Sequence, residues 1–341
     1  MILVLSTRSD ASTLDVLDWL LYYDEKFFLL YTDDLDFKII RFVPSKREFI
    51  VQANGQEVNL YTVTAVWNRR LGISVHNFTN QYIDKNNPGS FFMDKEDTSH
   101  YGYLLDESRT LIEFIHYLIE KEGVIVIGSF FTNNVNKLIV LDTAKECGLD
   151  VPESLIVTNK QDLLDFQNIH CGKHLITKAI YEGIYRPEVK DVYQYYSYVE
   201  RLTLESINNF PDYFYPSLVQ VEIEKELELR VFYILGFCYS MAIFSQDEED
   251  SQVDFRKNDH RNTPLKFVPY KLPKDIEVKL DNLMHLLHLN TGSIDVILNK
   301  DGKYVFLEVN PCGQYGMTSN PCNYYLDKLI AQLLCRQIAL Y

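Results

Sequence analysis

The feature that most limits the fold lies near the C-terminus, where two apolar segments flank a short polar turn. The segments are Ser293–Leu298 and Tyr304–Val309, and Asp301-Gly302 between them is a strong turn signal. Two short apolar segments joined in this way predict an antiparallel hairpin. Because successive residues of a strand face opposite sides, the prediction also assigns each polar residue of the hairpin to one face.

Three polar residues of this hairpin have the chemistry of a metal site. Glu308 and Asn310 are two positions apart and point the same way, and Asp295 on the partner strand can share that face. Two carboxylates and a carboxamide oxygen are hard ligands that suit Mg²⁺. The alternative is a solvated hairpin with ordinary acidic residues. The residues around them are apolar, and Leu307 and Val309 are expected to face the core, so the strands should be buried. A buried carboxylate without a partner is costly, and this favours the metal site.

Size and charge limit the classes of function. The chain has 341 residues, of which 47% are hydrophobic, enough for a sizeable core in two or three structural units. A formal net charge of −15 argues against binding to nucleic acid or to anionic membranes, which requires clustered Lys and Arg. Six cysteines without a C-x-x-C spacing predict neither a zinc site nor a redox motif. The sequence has no signal peptide and no apolar run of membrane-spanning length, so we expect a cytoplasmic protein.

Hydrophobic patterning predicts alternating strands and helices, and therefore an α/β fold. An apolar strand at Ile2–Leu5 precedes a helix at Ser12–Leu21, with Ser12 as its expected N-cap. The polar segment Asn80–His100 predicts a loop, and the periodic segment Tyr101–Glu120 a helix. A last helix is predicted at Tyr324–Leu340.

Several residues are candidates for contact with a nucleotide. Lys178 ends an apolar strand and Lys137 opens a helix, and either could contact a phosphate, although lysines in such places are commonly edge or surface residues. The segment at 218–225 could present backbone groups to an adenine edge, or it could form one exposed sheet face. Arg256 could clamp a phosphate or an acyl phosphate, or it could neutralise its acidic neighbours.

Common catalytic motifs are absent from the sequence. There is no P-loop, no G-x-G-x-x-G, no G-x-S-x-G nucleophile elbow and no H-E-x-x-H. The eight histidines do not cluster at the spacing of metal ligands. The sequence therefore predicts no hydrolase triad and no zinc peptidase site.

In their order along the chain, these candidates match one superfamily. From about Asn133 to the end, the sequence resembles ATP-grasp ligases. The resemblance implies nucleotide contacts at Lys137, Lys178, the hinge residues Gln220, Val221, Glu222 and Ile223, and Glu228, and metal contacts at Asp295, Glu308 and Asn310.

Within that superfamily, nearly the whole chain resembles graspetide synthetases of the grasp-with-spasm type. The supporting segments are Trp67-Asn-Arg69-Arg70, Glu228-Leu-Arg230-Val, Ser245-Gln246, Asp254-Phe-Arg256, Thr263-Pro264, Lys271-Leu-Pro and Asn310-Pro-Cys-Gly313-Gln314. The chain departs from the pattern in two places. Tyr181–Pro187 has a single glycine, so a glycine-rich phosphate lid is not evident, and Asn68 stands where an aromatic residue is commoner.

The resemblance implies an ATP-grasp fold with an N-terminal α/β pre-ATP-grasp domain at residues 1–125. A central lobe with a lid would occupy residues 126–215, and a C-terminal lobe with the metal site residues 216–341. The implied enzyme uses ATP and Mg²⁺ to phosphorylate an Asp or Glu side chain of a ribosomal precursor peptide. A Ser or Thr hydroxyl, or a Lys amine, of that peptide then closes a ring. Arg230 and Arg256 are the expected contacts to the transferred phosphate. A leader segment separate from the core peptide, and a homodimer, are also implied.

Three other functions remain open at this point. An amino-acid ligase of the same fold, which extends a peptide or protein C-terminus, would have identical metal and nucleotide residues. A small-molecule kinase of this fold, such as an inositol phosphate kinase, would need a basic substrate cleft, which the net charge disfavours. A third alternative is a nucleotide-binding regulator without enzymatic activity. Loss of a metal-binding residue would have favoured it, but Asp295, Glu308 and Asn310 are all present.

Overall fold

A computed structural model of the chain describes residues 1–33, 37–70, 72–83, 98–181, 184–185, 195–196, 199–244 and 266–337. The chain forms two compact units. The first comprises Met1–Asn134, Leu289–Gly292 and Pro311–Tyr341, and the second comprises Val135–His288 and Ser293–Asn310. Three of the predicted functional segments lie outside the described residues: Ser245-Gln246, Arg256 and Thr263-Pro264.

The elements follow one another in a mixed α/β order, which confirms the predicted class. The N-terminal part contains β1 (Ile2–Ser6), α1 (Ser12–Tyr22), β2 (Phe27–Tyr31), β3 (Lys38–Val43), β4 (Glu48–Ala53), β5 (Gln56–Asn59), β6 (Ala65–Asn68), α2 (Val75–Ile83), α3 (Thr98–Ile119) and β7 (Ile125–Ile127).

The middle of the chain contains α4 (Lys137–Glu146), β8 (Ser154–Asn159), α5 (Lys160–Ile169), β9 (Leu175–Lys178), β10 (Ile184–Tyr185), β11 (Tyr195–Tyr196), β12 (Glu200–Leu202), α6 (Leu204–Asn208), β13 (Tyr213–Val221), β14 (Lys225–Ile234), β15 (Phe237–Phe244), β16 (Lys266–Tyr270), α7 (Lys274–Leu286), β17 (Thr291–Asn299) and β18 (Tyr304–Asn310). The C-terminal part contains α8 (Gly316–Cys322) and α9 (Leu326–Leu334).

In the first unit, a parallel sheet with strand order β2-β1-β6-β7 packs against α3. The helix buries Ile112, Ile115 and Ile119, which recur at the spacing of one helical face. Leu3 and Leu5 of β1 lie in the same core, as do residues of the antiparallel sheet β3-β4-β5. The central strand β1 is buried on both faces because it is covered on both sides, which explains its continuous apolar sequence.

In the second unit, two sheets carry the candidate site. One has the order β12-β9-β13-β8 and is antiparallel, and its core contains Val157, Leu175 and Val219. The other has the order β16-β15-β14-β17-β18, in which β17 and β18 form the hairpin predicted from the sequence. Among the described helices, none has the length and apolar character to cross a bilayer.

Three predictions of local structure were wrong in part. The last helix is shorter than the predicted span Tyr324–Leu340, because Tyr325 has a left-handed backbone, with φ of 51°, and α9 begins at Leu326 and ends at Leu334. The segment at 80–100 is not all loop, since α2 continues to Ile83 and α3 begins at Thr98. The N-cap of α1 is Ala11, because the Asp10 carboxylate accepts from both the backbone N–H and the hydroxyl of Ser12.

Candidate functional site

The predicted metal residues lie together at one end of the β17–β18 hairpin. Asp295 is directly opposite Glu308 and Ser293 is directly opposite Asn310, so the two carboxylates and the carboxamide share a face. None of the three is buried, and the Asp295 and Glu308 side chains are 20% and 37% exposed. They are supported by Ile294, Val296, Phe306 and Val309, which are buried on the other side of the same strands.

Leu307 departs from its predicted position in the core. The register shifts between Asp295 and Val296, so that Val296 is opposite Phe306 and Leu307 is the extra residue of a β-bulge. Leu307 is consequently half-buried, whereas Val309 is buried as predicted. The bulge also lets Glu308 face Asp295 across the hairpin.

Two lysines approach Glu308 from different elements. Lys137 is the first residue of α4, which packs against β18, and its Nζ lies 3.5 Å from Oε2 of Glu308. Lys178 is the last residue of β9, and its Nζ lies 3.9 Å from the same oxygen. Asn136 fixes the start of α4, because its side chain accepts from the backbone N–H groups of Leu138 and Ile139. The predicted phosphate-contacting lysines are therefore brought together.

Arg230, on β14, holds Asp295 through two contacts. Its Nη2 donates to Oδ2 at 3.1 Å, and its Nε lies 2.5 Å from Oδ1. Together with Lys137 and Lys178, Arg230 gives the cluster three cations against two carboxylates, one positive charge in excess. Such a cluster attracts an anionic phosphate chain better than a bare divalent ion.

The predicted hinge residues differ in what they can offer to a base. The Gln220 side chain is buried and donates to Ser154 Oγ at 2.8 Å. The backbone N–H groups of Val221 and Glu222 donate to the carbonyls of Glu153 and His174. Within the described part of the chain, the N–H of Ile223 has no such partner. Among the predicted hinge residues, Ile223 is therefore the one whose N–H is left for a contact outside the sheet.

Two ion pairs that the sequence did not predict fix the ends of this hinge. Arg201, on β12, donates from Nε and Nη2 to the two carboxylate oxygens of Glu222, at 2.6 Å each. This pairing raises the pKa of Arg201 above its usual value. Lys225 donates to Glu228 at 2.8 Å, and both side chains are nearly buried. Neither pair has a local signal in the sequence, because residues three apart on a strand such as β14 ordinarily face opposite sides, and Arg201 lies on β12 whereas Glu222 follows β13.

A second charged cluster lies in the first unit, at the carboxyl ends of the parallel strands β1 and β6. Asp10 is buried and bridges Arg69 and Arg70, with contacts of 3.0 Å and 2.6 Å to their Nε atoms. Arg69 also donates to the carbonyls of Cys312 and Gly313, at 2.9 Å and 3.3 Å. Burial lowers the pKa of Arg69. The sequence motif at 67–70 indicates a role for Arg69 and Arg70, but no local pattern predicts Asp10 as their partner.

The donor chemistry of the hairpin fits a magnesium ion that arrives with a nucleotide. Within the described residues, no group of three His, Cys, Asp or Glu side chains is placed to hold a metal. The carboxylates of Asp295 and Glu308, with the Asn310 carboxamide, offer hard oxygen ligands but few of them. Mg²⁺ is commonly bound in this way, through one or two carboxylates, water and substrate phosphates.

Comparisons with known proteins identify the fold of the chain. No family model matches the sequence, and no curated protein matches it either. Among solved structures, it is similar to the macrocyclase MdnC bound with precursor peptide MdnA from Microcystis aeruginosa MRC, with a TM-score of 0.76 and 24% identity over 99% of this chain and 100% of that chain.

Two further structures are similar over nearly their whole length. A Chryseobacterium gregarium RiPP-associated ATP-grasp ligase, in complex with ADP and a leader and core peptide, has a TM-score of 0.76 and 22% identity over 99% of this chain and 97% of that chain. The ATP-grasp ligase PsnB, complexed with a minimal precursor, Mg and ADP, has a TM-score of 0.67 and 16% identity over 98% and 97%. The chain thus has the ATP-grasp fold.

Proposed function

We propose that the protein is an ATP-dependent peptide ligase that forms rings within a ribosomally made precursor peptide. The observation that carries this proposal is the cluster in which Lys137 and Lys178 meet Glu308 while Arg230 holds Asp295. A cluster of three cations and two carboxylates, with one positive charge in excess, suits a triphosphate accompanied by Mg²⁺. The similarity to solved ATP-grasp ligases that hold nucleotide and peptide supports the same assignment.

The chain's own residues have distinct roles in the proposed reaction. Lys137 and Lys178 bind phosphate oxygens as point charges, and Ile223 N–H orients the base. Arg230 stabilises the charge that develops as the terminal phosphate passes to a substrate Asp or Glu. Asp295, Glu308 and Asn310 would hold Mg²⁺, which when bound neutralises phosphate charge. A hydroxyl or amine of the peptide then displaces the phosphate from the acyl phosphate.

The proposed reaction needs no pair of a nucleophile and a base among the protein side chains. ATP supplies the leaving group, and the acyl phosphate is reactive enough to be attacked directly by a correctly placed substrate group. The protein contributes position and charge, which is what the cluster offers. The proposed partner is a precursor peptide with leader and core segments, while dimerisation and a cytoplasmic location stay predictions.

The experiment that tests the proposal uses purified protein, ATP, Mg²⁺ and synthetic peptides encoded by short reading frames next to the gene. Ring closure would appear in the mass spectrum as a loss of about 18 Da, one water, with one ADP released per ring. Added hydroxylamine would trap the acyl phosphate as a hydroxamate. Addition of a residue mass instead would identify an amino-acid ligase, and background ATP turnover with every peptide would refute the enzyme assignment.

A further inference from the structure

Two neighbouring arginines of the first unit share one buried carboxylate. Arg69 and Arg70 directly follow β6, and Asp10 lies in the segment between β1 and α1. The Asp10 side chain is 3% exposed, and its Oδ2 lies 3.0 Å from Nε of Arg69 and 2.6 Å from Nε of Arg70. Ligands of open parallel sheets bind beyond the carboxyl ends of the strands, which is where this cluster lies.

The Arg69 guanidinium is buried, and its donors are used within the protein. Its side chain is 4% exposed. Nη1 donates to the carbonyls of Cys312 and Gly313, and Nε and Nη2 both donate to the Ser12 hydroxyl at 3.4 Å. Arg69 is therefore fixed in place and has little left to offer a ligand.

Arg70 differs from Arg69, because its two terminal nitrogens are left over. Its buried Nε faces Asp10, whereas Nη1 and Nη2 donate to no group among the described residues. The side chain is 28% exposed, so a ligand can reach the end of the guanidinium. The two nitrogens form a planar fork that matches the two oxygens of a carboxylate. Because the contact with Asp10 restricts the side chain, less orientational freedom is lost on binding.

Charge decides which kind of anion the fork favours. Arg69 and Arg70 against Asp10 leave one positive charge, and a guanidinium keeps its proton even where burial lowers its pKa, as at Arg69. The Cys312 thiol and the Tyr315 phenol stay neutral, because burial raises the pKa of each. One carboxylate would balance the cluster, whereas phosphate, which carries more than one negative charge at neutral pH, would overcompensate it.

One further carboxylate lies within electrostatic reach of the cluster. Asp15 is an exposed residue of α1, and burial and three neighbouring carboxylates, of which Asp10 has the smallest effect, raise its pKa. Asp15 does not contribute to the shift in the pKa of Arg69, and water screens its charge. Its charge weakens the attraction for any anion, and most for an anion with more than one charge, so it too favours a carboxylate over phosphate.

We propose that the first unit binds a carboxylate in the fork of Arg70 Nη1 and Nη2, with Arg69 supplying the excess positive charge and Asp10 holding both arginines. The carboxylate would be held without being activated, so this site goes beyond the proposed function and does not depend on it. Two sources have the same chemistry. One is the side chain of an Asp or Glu in a bound peptide, and the other is a free α-carboxylate at a peptide end or on an amino acid.

The test is binding of small probes to the full-length protein, in which arginine alone is labelled with ¹⁵N. The Arg70 guanidinium signal is assigned by its loss in Arg70→Gln. N-acetyl-glutamate N-methylamide carries a side-chain carboxylate, N-acetyl-glutamine carries an α-carboxylate, and N-acetyl-glutamine N-methylamide carries neither. Inorganic phosphate is the fourth probe.

We expect a carboxylate probe to shift the Arg70 signal saturably, and the neutral amide and phosphate to bind at least about tenfold more weakly. The two carboxylate probes differ in where the carboxylate is attached, so the one that binds more tightly identifies the source.

Replacements of Arg70 test the fork, with binding followed by saturation transfer to the signals of the probe. Arg70→Gln leaves Asp10 paired with Arg69, so the fold should be kept, as thermal melting would verify, and binding should weaken at least about tenfold. Arg70→Lys keeps the charge but not the fork, and should weaken binding several-fold. Arg109→Gln, at an exposed arginine paired with Asp106, is the matched control and should bind as the wild type does.

Several outcomes would overturn the carboxylate site. They are equal binding of the neutral amide, preference for phosphate, no shift of the Arg70 signal with either carboxylate probe, and carboxylate binding at wild-type strength in either Arg70 variant. These experiments contain no ATP and no turnover, so their failure leaves the ligase assignment standing. Conversely, absence of ATP-dependent ring closure would leave the carboxylate site standing.

Discussion

Arg201 donates to both carboxylate oxygens of Glu222, at 2.6 Å each, and so ties β12 to the residue that follows β13. Bidentate pairs of this geometry fix the orientation of the carboxylate as well as its position. The backbone of Glu222 precedes Ile223, whose N–H is the donor proposed for the adenine ring. Arg201 thus acts on the nucleotide through the hinge rather than by touching it.

Replacing this arginine tests the link. Arg201→Gln should raise the KM for ATP about three- to tenfold and leave kcat nearly unchanged, because the phosphates are held elsewhere. Arg201 is more than a third exposed, so solvent screens the pair and the loss of stability should be at most ~1 kcal/mol. Steady-state kinetics and thermal melting measure both effects. A change in kcat with unchanged KM would contradict a positioning role, and Arg41→Gln, which removes an exposed ion pair with Glu48, is the control.

Glu308 is the residue on which the magnesium assignment depends most. Glu308→Gln keeps the size of the side chain but removes the charge that faces Lys137 and Lys178. We expect kcat to fall by at least about 100-fold, as for other losses of charge stabilisation at a transferred phosphate. The side chain is 37% exposed, so the melting temperature should hardly change. Full activity in this variant, measured as ADP release, would remove the metal assignment.

Lys178 tests the nucleotide contact independently. It is the last residue of β9, and its side chain is 15% exposed, so its Nζ can still contact a bound phosphate. Lys178→Ala should raise the KM for ATP by roughly 10–100-fold, the loss expected for a charge-assisted hydrogen bond. Lys274→Ala removes a largely exposed lysine paired with Glu277 and serves as the control. An unchanged KM in Lys178→Ala would place this lysine outside the nucleotide site.

Local pattern and long-range pairing differ in what the sequence reveals. Strand alternation predicted that Glu308 and Asn310 share a face with Asp295, because the period of two is a property of any strand. The bulge at Leu307 was not predicted, since one extra residue leaves no signal in composition. Two ion pairs were not predicted either: Arg201 with Glu222, and Asp10 with Arg69. The members of each pair belong to different segments of the chain, and only the folded sheets bring them together.

The start of the last helix has a backbone cause that periodicity does not record. Apolar spacing predicts a helix over residues 324–340, but α9 begins only at Leu326, because Tyr325 before it is left-handed, as is Asn323. Asparagine adopts this conformation readily, whereas tyrosine does so at a cost. Tyr325 could not have been expected to end or begin a helix from its type alone.

His116 makes the stability of the first unit depend on pH. It is fully buried in α3, its Nε2 accepts from Ile73 N–H, and its ring stacks on Phe130 at 3.9 Å. Burial lowers its pKa below the ordinary value of 6.5, although Glu120 opposes this shift. Below about pH 6.5, His116 therefore binds a proton in the unfolded chain but not in the folded chain. The stability of the fold consequently falls as the pH falls through that range.

We expect the free energy of unfolding, measured with urea, to be constant from pH 8 to 7 and to decline below about 6.5 by up to ~1.4 kcal/mol per pH unit. His116→Gln keeps a polar group for Ile73 but cannot titrate, so its stability should be flat from pH 7 to 5. Glu120 does not account for the slope. Burial raises its pKa, but hydrogen bonds from His116, Ser129 and Phe130 N–H outweigh burial and lower it. Its contribution is therefore lost only below about pH 4.5. A wild-type protein equally stable at pH 7 and pH 5 would show that the folded chain accepts a proton on His116.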